Sequence, residues 1–288
     1  MRTRTVSSLV SGQPTQDGNR VPLTRLVSGQ GQHGNQAFRT MDPFLLMDHF
    51  GPMVLTPGTD AGFPPHPHRG FQTLTYLIQG AFRHRDSTGG SGLLRPGGAQ
   101  LMNAGSGIVH EEMPLPEQLH SGGPIEGVQL WINLPKADKR TAPGYTDLQP
   151  ESMPWTALPG GRIRVLAGTW AGVTGPARTP AKIAYAHLEL EAGARFEHAV
   201  PAGWIAALVP LHGSIRIAGT EVAADSVALL SAGDALALEA VTPVSLMLLA
   251  GEPLREPIAH YGPFVMNTRD EIEQAILDYQ QGRMGYLD

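Results

Sequence analysis

The sequence predicts an all-β chain built as two similar β-domains in tandem, each a sandwich or a barrel, with one short helix at its C-terminal end. Three observations carry this. Of 288 residues, 35 are Gly and 25 are Pro, so about a fifth of the chain interrupts helices and favours short strands joined by turns. Strand-length segments rich in apolar and β-branched residues recur between clusters of Gly, Pro and Ser, the rhythm of a sandwich or barrel. Finally, Phe71 to Arg85 (FQTLTYLIQGAFRHR) can be laid over Trp204 to Gly219 (WIAALVPLHGSIRIAG) so that Gly80 meets Gly213, a weak internal repeat that implies two similar units.

Along the chain, Gln30 to Asn35 is polar and Gly-rich, and Gly29, Gly31 and Gly34 spell G-x-G-x-x-G. A dinucleotide fingerprint must open a helix, whereas Pro43 follows soon after, so a flexible loop is expected here. Phe71 to Ile78 reads as a strand closed by Gly80, and a second strand runs into a loop from Asp86 to Gly92. Further strand segments lie at Leu101, Val128 to Leu134, Ile163 to Ala167 and Tyr185 to Leu190. The repeat also sets Arg95-Pro96-Gly97-Gly98 near Ser231-Ala232-Gly233-Asp234. Domains are expected at 1–140 and 141–288, with the crossover in the Pro and Gly cluster between Pro135 and Gly161. The helix begins at Thr268, which forms a capping box with Glu271, presents Ile272, Ala275, Ile276 and Tyr279 on one face, and stops at Gly282.

Composition excludes several functions. With 21 Lys plus Arg against 26 Asp plus Glu, a net charge of −5 and no basic run, the chain is not expected to bind DNA or RNA by itself. Without Cys there is no disulfide, thiolate metal site or Cys nucleophile. The basic start at Met1, Arg2 and Arg4 leads into polar residues from Ser11 to Asn19 rather than an apolar signal segment, and no run is long enough to span a membrane. A cytoplasmic protein is expected.

The densest cluster of ligand-type side chains is Pro65-His66-Pro67-His68-Arg69-Gly70. In an extended segment residues two apart share a side, so His66 and His68 can converge while Pro67 stiffens the spacing. Downstream, Gly105 to Pro114 (GSGIVHEEMP) repeats the spacing: on a strand, His110 and Glu112 face one way and Glu111 the other. Together they make a three-His, one-carboxylate set suited to Fe(II), with Mn, Ni, Cu and Zn as competitors. In the second unit the repeat brings Ala199, Pro201, Leu246 and Leu248 to the corresponding places, which cannot bind metal. His187, His198 and His212 are therefore expected to be structural or at the surface, and Ser106 lacks the flanking Gly pattern of a nucleophile elbow.

Five blocks resemble the pirin family: D-P-F-L-L-M-D-H-F-G-P at Asp42 to Pro52, H-P-H-R-G-F at His66 to Phe71, H-E-E-M-P at His110 to Pro114, G-V-Q-L-W-I-N-L-P at Gly127 to Pro135, and G-P-F-V-M-N-T at Gly262 to Thr268. The resemblance implies a bicupin whose two barrels pack face to face. It also implies one mononuclear metal, usually iron, in the N-terminal barrel on His66, His68, His110 and Glu112. Asp48, His49, Arg69, Gln129 and Trp131 would line the pocket or brace the ligands, with aromatic residues such as Phe63 and Trp131 suited to a flat ligand. The implied activity is quercetin 2,3-dioxygenase, which opens a flat enolic flavonol with O2 and releases carbon monoxide, with Glu112 as catalytic base. The alternative is a non-enzymatic regulator that binds a transcription factor or metabolic enzyme through its protein surface according to the redox state of the metal. A third reading makes the metal only a staple of the barrel.

Overall fold

The computed structural model describes residues 2–28 and 40–287; the Gly29, Gly31 and Gly34 motif and its expected loop lie outside the described residues. The strands gather mainly into two seven-stranded and two four-stranded sheets. In the N-terminal barrel the large sheet runs Gly144–Leu148, Ala99–Asn103, Phe71–Gln79, Gly123–Asn133, Phe44–Leu55, Val21–Val27, Gln13–Asp17. Its small sheet runs Phe63–His68, Ile108–Pro114, Phe82–Asp86, Ser91–Leu94. The C-terminal barrel repeats the plan. Its large sheet is Val6–Ser11, Ser226–Leu230, Ile205–His212, Val244–Gly251, Ile183–Leu190, Gly161–Ala167, Thr156–Leu158, and its small sheet is Arg195–Ala199, Ala235–Ala240, Ser214–Ile217, Thr220–Ala223.

The two large sheets pack against each other, and their facing side chains form one apolar core. Met47, Leu74, Tyr76, Val128, Leu130 and Ile132 come from the first barrel; Tyr185, Ala207, Val209, Val227, Met247 and Leu249 come from the second. Side chains alternate along a strand, so the other parity of the same strands points into the barrels. In the second barrel that interior is solid, filled by Ile163, Leu188, Phe196, Leu208, Leu236, Leu238, Leu246 and Leu248. In the first it is only partly apolar, around Phe50, Leu77, Phe82 and Ile125.

Two expectations need correction. The division at 140/141 does not follow the sheets, because the chain ends are exchanged. Val6–Ser11 pairs with Ser226–Leu230 of the second barrel, Gly144–Leu148 pairs with Ala99–Asn103 of the first, and the final segment returns to the first. Each exchanged strand covers a sheet edge that would otherwise offer unpaired backbone groups. The repeat, in turn, slips by one strand after Gly80 and Gly213, which both turn with positive φ (90° and 74°). By strand order the Arg95 to Gly98 turn corresponds to Ala224 and Asp225, and Ile108–Pro114 corresponds to Ala235–Ala240. Connections in the second barrel are shorter, so a constant offset overshoots. His110 and Glu112 are thus matched by the Ala235–Ala240 strand rather than by Leu246 and Leu248, and its Leu236 and Leu238 are buried apolar residues.

The C-terminal helix spans Arg269–Gln280 with the capping box of Thr268 and Glu271 present. It buries Ile272 and Ala275 against Val109, Phe264 and Met266, so its apolar stripe closes the first barrel, while Tyr279 stays 41% exposed. A second helix, Pro116–Ser121, was not foreseen, although Pro at its first position is a start signal.

Within the seam His187 is buried; Tyr76 Oη donates to its Nδ1 at 3.0 Å and its Nε2 donates to Ser245 Oγ at 2.7 Å. Burial, helped by the nearby Arg164 charge, pushes this imidazole from 6.5 down to about 3. The unfolded chain then takes up a proton that the folded chain refuses, so stability is full above about 6.5 and falls with pH towards 3. We expect a loss of roughly 1 kcal/mol per pH unit across that window. Denaturant titrations at several pH values should show a shallower slope for His187→Gln than for the parent chain, whatever its absolute stability.

Candidate metal centre

His66 and His68 sit on the Phe63–His68 strand, and His110 sits on Ile108–Pro114 directly opposite His66 in the antiparallel register. The parity argument therefore places all three rings on the interior side. The ring centroids of His66, His68 and His110 lie 4.4 to 5.0 Å apart, and one ligand nitrogen from each falls within 4.8 Å of the other two. His66 Nδ1 donates to Pro64 O at 2.7 Å and His68 Nδ1 to Pro263 O at 3.4 Å, which leaves the Nε2 lone pair of each ring free. Such an outer hydrogen bond is how a metal-binding imidazole is held in its tautomer.

His110 is fully enclosed, at 1% exposure, and neither of its ring nitrogens has a hydrogen-bond partner. A buried polar group left unmatched costs about 1–3 kcal/mol, and a cation at the focus of the three rings would satisfy one of the two nitrogens. Burial first, and then the neighbouring imidazoles, hold His68 and His110 well below the ordinary histidine range. Both are therefore neutral near pH 7, the form that donates a lone pair. The donor set fits a borderline divalent cation.

Glu112 faces the same cavity, but its oxygens are engaged: Thr75 Oγ1 donates to Oε1 at 2.8 Å and Gln129 Nε2 to Oε2 at 2.9 Å. The tight cluster of ligand atoms contains the three histidines without it. Glu111, one residue earlier, turns away and accepts from Arg85 Nε at 2.7 Å. Behind His110 lies His84, stacked on Tyr145 at 4.2 Å and bonded to Asp86 at 3.1 Å. Burial alone would raise the Asp86 carboxyl, but hydrogen bonds from Thr88 and His84 outweigh it and hold the group below its usual value.

In front of the histidines opens a cavity of about 330 Å³ whose walls include Arg25, Leu46, Asp48, Phe50, Phe63 and Trp131. Gln129 and Trp131 therefore fall at the cavity, as does Asp48. Arg25 grips Asp48 through two contacts, at 2.8 and 3.0 Å; burial still pushes this carboxyl up to about 6 against the pull of the guanidinium. Trp131 is stacked on Phe71 at 4.3 Å, which fixes its indole as a wall.

Two residues expected to line the pocket or brace the ligands do not line it. His49 has the opposite parity to Asp48 and faces the seam between the barrels, bonded to Asp225 and Glu126. Arg69 is buried behind the ligand loop, donating to Ser106 O at 2.7 Å and to Asp278 of the C-terminal helix at 2.8 Å. Residues that spacing did not single out are Thr75, Arg25, His84 and Pro263. Thr75 alone had a local signal, since it is a polar residue at an interior position of an apolar strand.

The turn after the ligands is equally constrained. A Cβ on Gly70, at φ +87°, would lie 1.9 Å from the Val265 carbonyl oxygen. The buried Lys139 ammonium ties Gly70 O, Asn133 Oδ1 and Val265 O together at 2.8 to 3.0 Å; burial pushes it down to about 8.

Two face-packed barrels, one solid and one hollow with a histidine cluster beside its cavity, define a bicupin, and that three-histidine cluster is one of two candidate metal-binding groups among the described residues. The Pirin family profile matches residues 24–132 and the profile of the Pirin C-terminal cupin domain matches residues 185–285. A Pirin-like protein of Caulobacter vibrioides is 43% identical over 286 residues, covering 98% of this chain and all of that one. A Pseudomonas aeruginosa protein, provisionally named a quercetin 2,3-dioxygenase, is 42% identical with 98% of both chains covered. Among solved structures, quercetin 2,3-dioxygenase from Acinetobacter baumannii superposes over the whole of both chains with a TM-score of 0.94 at 35% identity. This chain belongs to the pirin family.

Elemental analysis of purified variants should separate the cavity histidines from the outward-turned Glu111. His66→Ala and His110→Ala are expected to lose the bound metal, whereas Glu111→Gln, which loosens only the contacts with Arg83 and Arg85, is expected to keep it.

Proposed function

We propose that the chain is a metal-dependent dioxygenase that opens a flavonol ring with O2 and releases carbon monoxide, its metal held by His66, His68, His110 and Glu112. The observation that carries this reading is that one cavity is bordered at once by two of the histidines, by Glu112, and by the aromatic walls Phe63 and Trp131. The whole-chain similarity to a solved quercetin 2,3-dioxygenase supports it. A volume of about 330 Å³ is at the lower end of small-molecule sites, as suits one flat tricyclic ligand.

A divalent metal in this site, Fe(II) before Mn, Ni, Cu or Zn, supplies Lewis acidity and, for iron, a redox partner for O2. The chain supplies the rest. Glu112 takes the proton of the flavonol 3-hydroxyl on a carboxylate oxygen, and the donors Thr75 and Gln129 keep that carboxylate aimed while each oxygen retains a free lone pair. Trp131, immobilised by Phe71, and Phe63 give the aromatic rings apolar walls. The Arg25–Asp48 pair on the cavity wall offers donors and acceptors to phenolic hydroxyls.

The test loads the purified chain with Fe(II) without oxygen and mixes it with aerated quercetin. Flavonol absorbance and dissolved O2 should fall together with release of carbon monoxide, and His66→Ala should do none of these. Glu112→Gln should retain part of its metal and lose about 10²-fold or more in turnover. A metal-loaded parent chain that consumes neither reagent rejects the dioxygenase reading.

A further inference from the structure

The face of the first barrel opposite the cavity carries a second convergence of ligand-type atoms that the proposed reaction does not use. His49 Nε2 lies 3.2 Å from Glu126 Oε1, and His212 Nε2 meets the same oxygen; all three atoms lie within 4.8 Å of one another. His49 and Glu126 belong to the first barrel and His212 to the second, so the group straddles the rim of the seam. Local structure aims each of them. His49 shares the parity of Met47, which is buried in the seam. Glu126 is projected by a register irregularity between Glu126 and Gly127, and His212 follows another between Pro210 and His212.

We infer that His49, Glu126 and His212 form a second metal site, a clamp between the barrels for a borderline divalent cation such as Zn²⁺. Three features argue for it beyond proximity. The other nitrogen of His49, Nδ1, is held by Asp225 Oδ1 at 2.8 Å, the carboxylate–histidine arrangement that orients a ligating imidazole. The second oxygen of Glu126 accepts from Gln79 Nε2 at 3.1 Å, which fixes the plane of the carboxylate. The separation of 3.2 Å between His49 Nε2 and Glu126 Oε1 is close to the roughly 3.3 Å expected between ligands of a tetrahedral ion bound at about 2.0–2.1 Å. His212 Nε2, by contrast, sits at short hydrogen-bonding distance from the same oxygen, and its half-exposed side chain has to draw back for an ion to enter.

Access follows from burial. His49 and Glu126 are 1% and 2% exposed, but His212 is 46% exposed. An ion can therefore enter from the His212 side and keep a water as its fourth ligand. Without a cation, two imidazoles meet one carboxylate oxygen and each contact needs its own proton. One dication replaces both.

The experiment starts from the full-length His66→Ala/His110→Ala chain, in which the cupin centre is removed. Equilibrium dialysis against Zn²⁺ with elemental analysis should find one bound ion per chain and a raised melting temperature, both lost when His212→Ala is added. Should the double variant fail to fold, the same comparison in the otherwise unaltered chain should show stoichiometry falling from two ions to one with His212→Ala. Co²⁺ in this site should give the intense visible bands of four-coordinate geometry. A background chain that binds no zinc, or one whose zinc and Co²⁺ spectrum survive His212→Ala, overturns the site and leaves a proton-bridged ion-pair cluster.

Discussion

Each large sheet is buried on both faces, and that constraint governs the rest of the molecule. On Phe44–Leu55, Met47 and His49 serve the seam, whereas Leu46, Asp48 and Phe50 border the cavity. On Phe71–Gln79, Leu74 and Tyr76 serve the seam while Thr75 reaches Glu112. On Gly123–Asn133, Val128, Leu130 and Ile132 alternate in the same way with Gln129 and Trp131. A slip of one residue in any of these strands would drive the polar cavity wall into the apolar seam and the seam side chains into the cavity. Register is therefore specified by both faces at once, and the positions of the reactive groups follow from it.

The same plan is hollow in one barrel and solid in the other because of a handful of side chains on the small sheets. Where the first barrel sets His66 opposite His110, the second sets Phe196 opposite Leu238 and His198 opposite Leu236. His198 is half-buried with its ring 4.9 Å from Trp170. A hollow lined by imidazoles and carboxylates forfeits apolar burial and desolvates polar groups. The filled barrel and the shared seam supply the packing that keeps the open one in shape.

The fold was legible in the sequence because its signals are local. Gly and Pro mark the turns, apolar alternation marks the strands, and Gly80 and Gly213 register the repeat. The histidine cluster was legible for the same reason, since two spacings of two on extended segments bring His66, His68 and His110 to one side. What could not be read depends on pairings between distant segments. That His49 would find Glu126, Asp225 and His212, and that Pro263 would hold His68, follows from how the barrels and the C-terminal segment dock, and no short-range pattern encodes that. The repeat offset failed for a related reason: loop lengths differ between the barrels, and a single alignment shift cannot follow both.

The returning C-terminal segment shows how far from the histidine cluster its geometry is set. Pro263 O orients His68, Phe264 bridges to Arg69, and Asp278 of the helix pairs with that arginine at 2.8 Å. Lys139 binds both sides of the contact through Gly70 O and Val265 O. Because the strand Phe63–His68 that carries two of the histidines lies at the edge of its sheet, pairing within that sheet with Ile108–Pro114 alone, it has freedom on its outer side that this segment removes. An edge strand is a weak platform for ligands that must hold their positions to fractions of an ångström. Closing that edge with the C-terminal segment makes the platform rigid while leaving the cavity side of His66 and His68 open.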